Sequence, residues 1–341
     1  MLEHSSRSAV ASNVAMRLAK PAADVPGPHR ATDASQIMGI RNMFNPSPEV
    51  SSGSVVKPIP SHIVFATDLT ARCDRAQERA VQLAIEWNAS LTAVHAIDDA
   101  GIGANASVRD AHQVAARRNA KRLREDLAAI EGLRSSVHVE SGSPATVVQA
   151  LATRERADLI VTGLARSMIL GVPPMGSTVM ALARSSRVPV LVVKKKLLDT
   201  RSRTLVATDL TASSSAALQV ALNWFPNGRH GLFHVIDPPY RMWAEDKAAY
   251  VRQVEQSAIG ECASFAVEAA GAAARDRFDI TVRDGDVVDA LRPVVNQGDL
   301  DLVIIGTHGR TDVMNLLLGG VASRIVNQIE SDVLVVPGSS Q

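Results

Sequence analysis

His62–Thr70 reads HIVFATDLT, and 141 positions later Arg203–Thr211 reads RTLVATDLT. Each stretch is a short apolar run that leads into an acidic turn, a pattern typical of a buried strand that ends at the protein surface. Three further pairs of apolar runs follow in the same order, at offsets of 139 to 143 residues: LTAVHAID at 91–98 with GLFHVID at 231–237, DLIVTG at 158–163 with DLVIIG at 301–306, and VPVLVV at 188–193 with SDVLVV at 331–336. Four ordered matches indicate that the chain contains two copies of one structural unit.

Helical patterns separate the apolar runs in both copies. In Ala71–Asn88, apolar side chains recur at intervals of three and four residues, which predicts a helix with one apolar face. The other predicted helices are 106–130, 144–156, 247–274, 286–296 and 321–328, and the predicted third strands are 137–140 and 279–283. Each copy therefore reads β-α-β-α-β-α-β-α-β. This alternation predicts a Rossmann-like α/β fold of two tandem doubly wound, open, parallel five-stranded sheets with helices on both faces.

The composition and the chain ends bound the domains. Hydrophobic residues make up 46% of the chain but aromatic residues only 3%, so the core must be mainly aliphatic, as in parallel strands covered by Ala-rich helices. Residues 1–57 are rich in Ser, Ala, Pro and Asn, which predicts a disordered leader. We expect a first domain at 58–196 and a second at 200–338. Lys194–Lys196, at the end of the first domain, is interpreted as a solvated linker.

Composition also argues against several classes of function. The formal net charge of +1 gives no reason to propose a nucleic-acid partner. The apolar runs are shorter than the roughly 18 residues that a membrane helix needs. Cys73 and Cys262 stand alone in the sequence, so we predict neither a disulfide framework nor a zinc site. Two isolated thiols fit a reducing compartment, and we expect the protein to be cytoplasmic.

Candidate ligand-binding residues follow the first strand of each copy. Asp68 and Asp209 lie where the first strands end, and open parallel sheets bind ligands at the carboxyl ends of their strands. A carboxylate there can accept hydrogen bonds from a ribose or from an adenine amino group. The alternative is that each Asp-Leu-Thr segment caps the helix that follows it through its side-chain oxygens. The two roles are compatible, and the sequence leaves both open.

A glycine-rich stretch follows the fourth strand of the second copy. Gly306 and Gly309 are followed by nine residues and then by Gly319 and Gly320, a spacing of G-x2-G-x9-G-G. Glycine lets the backbone approach an anion closely. The predicted helix that starts at Val321 would attract a phosphate through its free amide groups and its dipole.

With this spacing, the second copy closely resembles the universal stress protein domains. Nucleotide-binding members of that family carry G-x2-G-x9-G-[ST] after the fourth strand and an Asp at the end of the first. The resemblance spans roughly residues 59–338 and leaves out the leader. It implies a tandem universal stress protein that binds ATP or AMP with Mg²⁺. The implied nucleotide-binding residues are Asp209 at the base or ribose, Gly306 and Gly309 beside the ribose and phosphates, and Gly319, Gly320 and Val321 at the phosphate-binding helix.

Both copies depart from the family pattern. Gly320 stands where the family has Ser or Thr, so a hydroxyl donor worth roughly 1.5–3 kcal/mol is lost and binding should be about ten- to a hundred-fold weaker. In the first copy Arg166 replaces the second glycine; it is disfavoured where φ is positive, yet a guanidinium can bind phosphate. Otherwise Arg166 is an exposed loop residue. The implied second, weaker site comprises Asp68, Gly163, Arg166, Gly176, Ser177 and Thr178.

The sequence supplies no evident base that would activate water, so no catalytic residue and no metal site are predicted, and slow ATP hydrolysis is the most enzymatic activity we expect. His95 and His234 are interpreted as core residues and His308 as an exposed loop residue. Three functions stay open: a nucleotide-responsive stress regulator with an unidentified protein partner, a nucleotide-independent stress-associated interaction protein, and a slow ATPase.

Assembly can also be predicted from the last strand of each copy. Val188–Val193 and Val333–Val336 are short and apolar, and an uncovered apolar edge strand invites pairing. Members of the family commonly pair through this strand. We therefore expect an intramolecular pseudo-dimer, with a further homodimer left open.

Overall fold

The computed structural model describes residues 58–98, 106–164, 176–196, 203–239, 241–297, 300–307 and 318–338. The predicted leader at 1–57 lies outside the described residues. The elements of the first copy are β1 (His62–Ala66), α1 (Asp74–Glu86), β2 (Ser90–Ile97), α2 (Ala106–Ala128), β3 (Arg134–Ser141), α3 (Pro144–Arg154), β4 (Leu159–Gly163), α4 (Ser177–Ser185) and β5 (Val190–Val193). Those of the second copy are β6 (Arg203–Thr208), α5 (Ala212–Trp224), β7 (Arg229–Ile236), α6 (Lys247–Ala270), β8 (Phe278–Asp284), α7 (Val287–Gln297), β9 (Leu302–Gly306), α8 (Gly320–Gln328) and β10 (Asp332–Val336).

The predicted order of strands and helices is confirmed in both copies, with shifts at some helix ends. The helix predicted from Ala71 begins at Asp74, because Ala71–Cys73 forms a 3-10 turn, in which the Thr70 hydroxyl accepts a hydrogen bond from the Arg72 amide. The helix predicted to reach residue 274 ends at Ala270, because Gly271 adopts a φ of 84°, which a right-handed helix cannot continue.

All the described strands belong to one sheet, in the order β3-β2-β1-β4-β5-β10-β9-β6-β7-β8. Within each copy the strands are parallel and follow the order 3-2-1-4-5, so the doubly wound α/β fold is confirmed. The two predicted five-stranded sheets join through β5 and β10, which pair antiparallel. The expected pairing of the last strands therefore turns two sheets into a single ten-stranded sheet.

The junction between the copies has an internal two-fold symmetry. Leu191 of β5 pairs with Leu334 of β10, and the flanking pairs are Val192 with Val333 and Val190 with Val335. Leu191 and Leu334 are equivalent positions of the repeat, so the two copies meet as the subunits of a symmetric dimer do. This geometry is that of the intramolecular pseudo-dimer expected from the sequence.

Side chains on both faces of the sheet extend the junction. On the face covered by α1 and α5, the ring of Trp87 lies 5.6 Å from that of Trp224 and 5.8 Å from that of Phe225. The indole nitrogen of Trp224 donates a hydrogen bond of 2.9 Å to the carbonyl oxygen of Pro58. The buried apolar clusters on the two faces each contain residues of both copies. On each face of the sheet, the two copies therefore contribute to one continuous apolar cluster.

The interpretation of Lys194–Lys196 as a solvated linker is wrong for Lys194. Lys195 and Lys196 are exposed, as a solvated linker requires, but Lys194 is only 8% exposed. Its ammonium group donates hydrogen bonds of 2.6 Å to the carbonyl oxygens of Val326 and Ile329 in the second copy. A charge run in sequence does not reveal that carbonyl acceptors lie within reach of one of its members.

Of the helices that the structure describes, none has the length and apolarity that crossing a bilayer requires.

We expect Leu191→Ala to lower the free energy of unfolding by about 2–5 kcal/mol, because it removes a side chain buried on the two-fold axis. Leu191 is 1% exposed. Equilibrium urea denaturation measures the change, with Val114→Ala at a 67% exposed position of α2 as the control. The control should stay within about 0.5 kcal/mol of the parent protein. Equal stability of the two variants would contradict the strand pairing at the junction.

Candidate functional site

A cleft of about 220 Å³ opens in the second copy at the carboxyl ends of β6, β7 and β9. This is the edge at which doubly wound sheets bind ligands, beside the point where the strand order reverses. Its walls are mainly apolar, and they include the starts of α7 and α8. The lining residues are Ala207, Thr208, Asp209, Ser214, Phe233, His234, Val235, Val287, Ile305, Gly306, Thr307, Gly319, Gly320, Val321, Ala322 and Ile325.

Asp209 lies in this cleft, two residues before the residue that caps α5. Its Oδ1 atom accepts hydrogen bonds from the Thr211 amide (3.2 Å), the Thr211 hydroxyl (2.7 Å) and the Ser214 hydroxyl (2.8 Å). Thr211 is the residue that caps α5, so the capping expected of the Asp-Leu-Thr segment is carried by its Thr. The hydrogen bonds from Thr211 and Ser214 fix the Asp209 carboxylate in the cleft. Ser214 was not singled out from the sequence, although the Thr-x-x-Ser spacing of a capping box was a usable signal.

A strained turn follows the Asp in both copies. Leu210 has a φ of 63° and Leu69 a φ of 59°, a left-handed conformation that non-glycine residues adopt at a cost of roughly 1–3 kcal/mol. The same turn brings the Thr two residues after each Asp back onto its carboxylate. The strained leucine therefore lies within the turn that lets the Thr donate a hydrogen bond to the Asp at the strand end.

Asp68 occupies the equivalent place in the first copy but has a different neighbour. Burial alone would raise the pKa of Asp68, but hydrogen bonds from Thr70 and Cys73 and the charge of Arg72 together outweigh burial and lower it. Where the second copy has Ser214, the first has Cys73. Burial raises the pKa of the Cys73 thiol to about 12, so the thiol stays protonated and unreactive beside the carboxylate.

Gly306 is required by packing between β9 and α5. A Cβ atom at Gly306 would lie 2.4 Å from the Ser213 hydroxyl oxygen and 2.9 Å from the Ser213 carbonyl carbon and oxygen. The equivalent Gly163 is less crowded, with its nearest neighbours at 3.5 Å. The glycine at the end of the fourth strand therefore has a structural reason in the second copy, independent of any ligand.

The start of α8 forms one end of the cleft. Gly319 caps the helix, its amide donating 2.9 Å to the Thr307 carbonyl, and the Ser323 amide closes the first helical hydrogen bond onto Gly319. Helix geometry leaves the amides of residues 320–322 without an acceptor inside the helix. Val321 is 47% exposed and lies at the cleft mouth. This is an arrangement suited to anion binding.

An ion pair fixes α8 against α7 beside the cleft. The guanidinium group of Arg324 donates two hydrogen bonds of 2.8 Å to the carboxylate of Asp286. These bonds, with those from the amides of Val288 and Asp289, lower the pKa of Asp286 to about 2. Nothing in the local sequence pairs these residues, because they are 38 positions apart.

The histidines of the second strands are structural. His234 and His95 are buried, and the Nδ1 atom of each contacts a backbone carbonyl, that of Thr208 at 2.8 Å and that of Thr67 at 3.0 Å. A carbonyl only accepts, so each Nδ1 carries the proton. Burial also lowers the pKa of His95, which favours the neutral ring. Both rings are therefore buried and hydrogen-bonded, as interpreted from the sequence, and His234 also lines the cleft.

The sequence-predicted site residues fall into three groups. Asp209, Gly306, Gly319, Gly320 and Val321 all line the one cleft. In the first copy, Asp68 follows β1 and Gly163 is the last residue of the paired strand β4, and Gly176, Ser177 and Thr178 form the start of α4. Gly309, Arg166 and His308 lie outside the described residues. The apolar cleft walls, such as Phe233 and Ile305, were not predicted, because a strand-end apolar residue has no distinguishing sequence signal.

Within the part of the chain that the structure describes, no group of three or more His, Cys, Asp and Glu side chains is arranged to hold a metal ion.

The fold and the cleft define a tandem doubly wound α/β protein in which a helix starts at the cleft of the second copy. The chain belongs to the universal stress protein family, whose model matches residues 60–194 and again residues 200–337. A search of curated proteins found no match.

Solved structures of similar fold span nearly the whole described chain. A protein of unknown function from Pseudomonas aeruginosa PAO1 is 18% identical and covers 84% of this chain and 95% of its own, with a TM-score of 0.60. A putative universal stress protein from Pseudomonas aeruginosa UCBPP-PA14 is 19% identical, with coverage of 83% and 95% and a TM-score of 0.60. A universal stress protein from Archaeoglobus fulgidus DSM 4304 is 18% identical, with coverage of 82% and 97% and a TM-score of 0.58. At these identities the likeness establishes the fold.

We expect Gly306→Ala to destabilise the protein by about 1–3 kcal/mol or more, because the added methyl group meets backbone atoms of α5 that cannot move independently. Gly163→Ala is the matched control, since the same change in the first copy meets only ordinary contacts. Thermal and urea unfolding of both variants measure the difference. If Gly306→Ala proved as stable as Gly163→Ala, the close approach of α5 to β9 would be wrong.

Proposed function

We propose that this protein is a stress-response regulator that binds ATP or AMP in the second-copy cleft and passes the occupancy on to a protein partner. The observation that supports it most is the meeting of two features in one cleft, the Asp209 carboxylate and the free amides at the start of α8. The proposal treats residues 58–196 and 200–338 as the two domains, with the ligand in the second.

Each part of a nucleotide has a chemically suitable surface in this proposal. The base and ribose would lie against the apolar strand ends, within reach of Asp209. The phosphates would lie at Gly319, Gly320 and Val321, where the helix dipole and the amides of α8 attract negative charge. Gly306 and Gly309 would line the path between them. A Mg²⁺ ion would arrive with the phosphates, which are its preferred ligands.

The first copy is proposed as a weaker site or as a purely structural partner. Its candidate residues are Asp68, Gly163, Arg166, Gly176, Ser177 and Thr178. The hydroxyl groups at the start of α4 favour phosphate binding, whereas Arg166 in the place of a glycine disfavours close backbone approach. We propose no enzymatic role beyond slow ATP hydrolysis.

A second candidate function is a nucleotide-independent interaction module. Gly320 favours it, because the helix start lacks the hydroxyl donor that nucleotide-binding members of the family carry. Isothermal titration with ATP, with and without Mg²⁺, separates the two. Saturable binding near one site per chain favours the regulator, and a folded protein that binds no ATP up to millimolar concentration leaves the interaction module.

We expect Val321→Glu to lower ATP affinity at least about ten-fold, because it places a carboxylate beside the proposed phosphate position. An acidic residue in the first turn of a helix does not threaten folding. Val321→Gln, of the same size without the charge, is the control and should bind within about three-fold of the parent. If Val321→Glu bound ATP with the same affinity as Val321→Gln, the proposed position of the phosphates at α8 would be wrong.

We expect Gly320→Ser to raise ATP affinity about ten-fold, because it supplies a hydroxyl donor to a charged phosphate oxygen. A Cβ atom at Gly320 has open space around it, so the serine fits without rearrangement. The same titration measures the gain, and adenosine, which has no phosphate, serves as the control ligand. A gain for adenosine as large as for ATP, or no gain for ATP, would contradict the proposed contact.

A further inference from the structure

The helix that starts at the proposed phosphate site ends on a side chain from the other copy. α8 runs from Gly320 to Gln328, nine residues or roughly 13 Å. At its far end, the ammonium group of Lys194 donates 2.6 Å hydrogen bonds to the carbonyl oxygens of Val326 and Ile329. Val326 lies in the last turn, where the carbonyl groups accept no hydrogen bond from an amide of the same helix. Lys194 directly follows β5 of the first copy.

Lys194 is held in place by both copies. Its backbone amide donates 2.7 Å to the Oδ1 atom of Asp332, and the amide of Lys195 donates 3.0 Å to the same oxygen. The guanidinium group of Arg75, in α1, donates 2.9 Å to the Lys194 carbonyl. The lysine backbone is therefore fixed from two sides, and its side chain is almost fully buried. A side chain fixed in this way can fix the helix end that it contacts.

Charges of both copies surround this contact. Burial raises the pKa of Asp332, while the Lys194 and Lys195 amides and the positive charges of Arg79 and Lys194 act in the opposite direction. Arg79, in α1, is fully buried, and Asp332, Glu86 and Asp301 partly offset the cost of burying its charge. The ammonium group of Lys194 thus lies among buried charges of both signs, and it donates its hydrogen bonds of 2.6 Å to the carbonyl oxygens of Val326 and Ile329.

The contact exists in one direction only. The position of the repeat that corresponds to Lys194 in the second copy is Pro337, which follows β10 and has no side-chain donor. The end of α4 in the first copy therefore receives no ammonium group from this position of the repeat. Among the described residues, the hydrogen bonds of Lys194 to the end of α8 have no counterpart at the end of α4.

We propose that Lys194 is a positioning residue for phosphate binding, acting from the first copy through α8 on the second-copy site. A cation at a helix C-terminus stabilises the helix, and an anion at its N-terminus does the same from the other end. By fixing the last turn of α8, Lys194 fixes where the amides of residues 320–322 point. This inference rests on the proposed function, because it concerns the phosphate end of that site.

The test is isothermal titration of the full chain carrying Lys194→Met, with ATP and with adenosine. We expect ATP affinity to fall about five- to thirty-fold and adenosine affinity to stay within about two-fold, because adenosine has no phosphate to place at α8. Lys194→Arg keeps the charge and should restore ATP affinity to within about three-fold of the parent. Lys195→Met, at an exposed neighbour, is the control and should bind ATP as the parent does.

The outcomes separate this inference from the proposed function. A parent protein that binds no ATP overturns both. A parent that binds ATP, with Lys194→Met binding equally well, overturns the role of Lys194 alone. Equal losses for ATP and adenosine also overturn it, because they indicate general damage to the fold. If Lys194→Met does not fold, Lys194→Gln retains an amide donor without the charge, and a loss of ATP affinity larger than that for adenosine is again required.

Discussion

The antiparallel pairing of β5 with β10 is the constraint on which the rest of this structure depends. Each of these strands is short and aliphatic, and each would leave a row of unpaired amide and carbonyl groups at the edge of a five-stranded sheet. Their pairing removes both edges at once and aligns the copies about Leu191 and Leu334. The apolar clusters on both faces of the sheet then become continuous between the copies, so neither copy has a core of its own.

Burying charge at such a junction is costly unless every charge has partners. The network around Asp332 meets that condition with partners from both copies: backbone amides after β5, the Arg79 guanidinium group and the Lys194 ammonium group. It also breaks the symmetry that the backbone register creates, because Pro337 stands where Lys194 would be repeated. A symmetric strand pair thus carries an asymmetric set of contacts, and these reach α8 in the second copy only.

The two copies preserve the same frame and differ where a ligand would lie. Both place an Asp before a strained leucine turn and hold it with a Thr hydroxyl, but the third partner is Ser214 in one copy and Cys73 in the other. The close approach of α5 to β9 leaves room for glycine alone at Gly306, whereas Gly163 has ordinary space around it. The two copies therefore differ in side chains and in packing at the carboxyl edge of the sheet, although the Thr-Asp-Leu-Thr segment there is the same in both.

The sequence by itself determined the repeat, the order of strands and helices, the doubly wound topology and the pairing of the last strands. These follow from local periodicity and from the rule that apolar edges must be covered. Both can be seen in residues that are close together in the sequence. Only the tertiary structure decided that Lys194 is buried, that Arg324 holds Asp286 and that Ser213 dictates Gly306. Each of these contacts joins residues that are far apart in the chain, so no local pattern contains them.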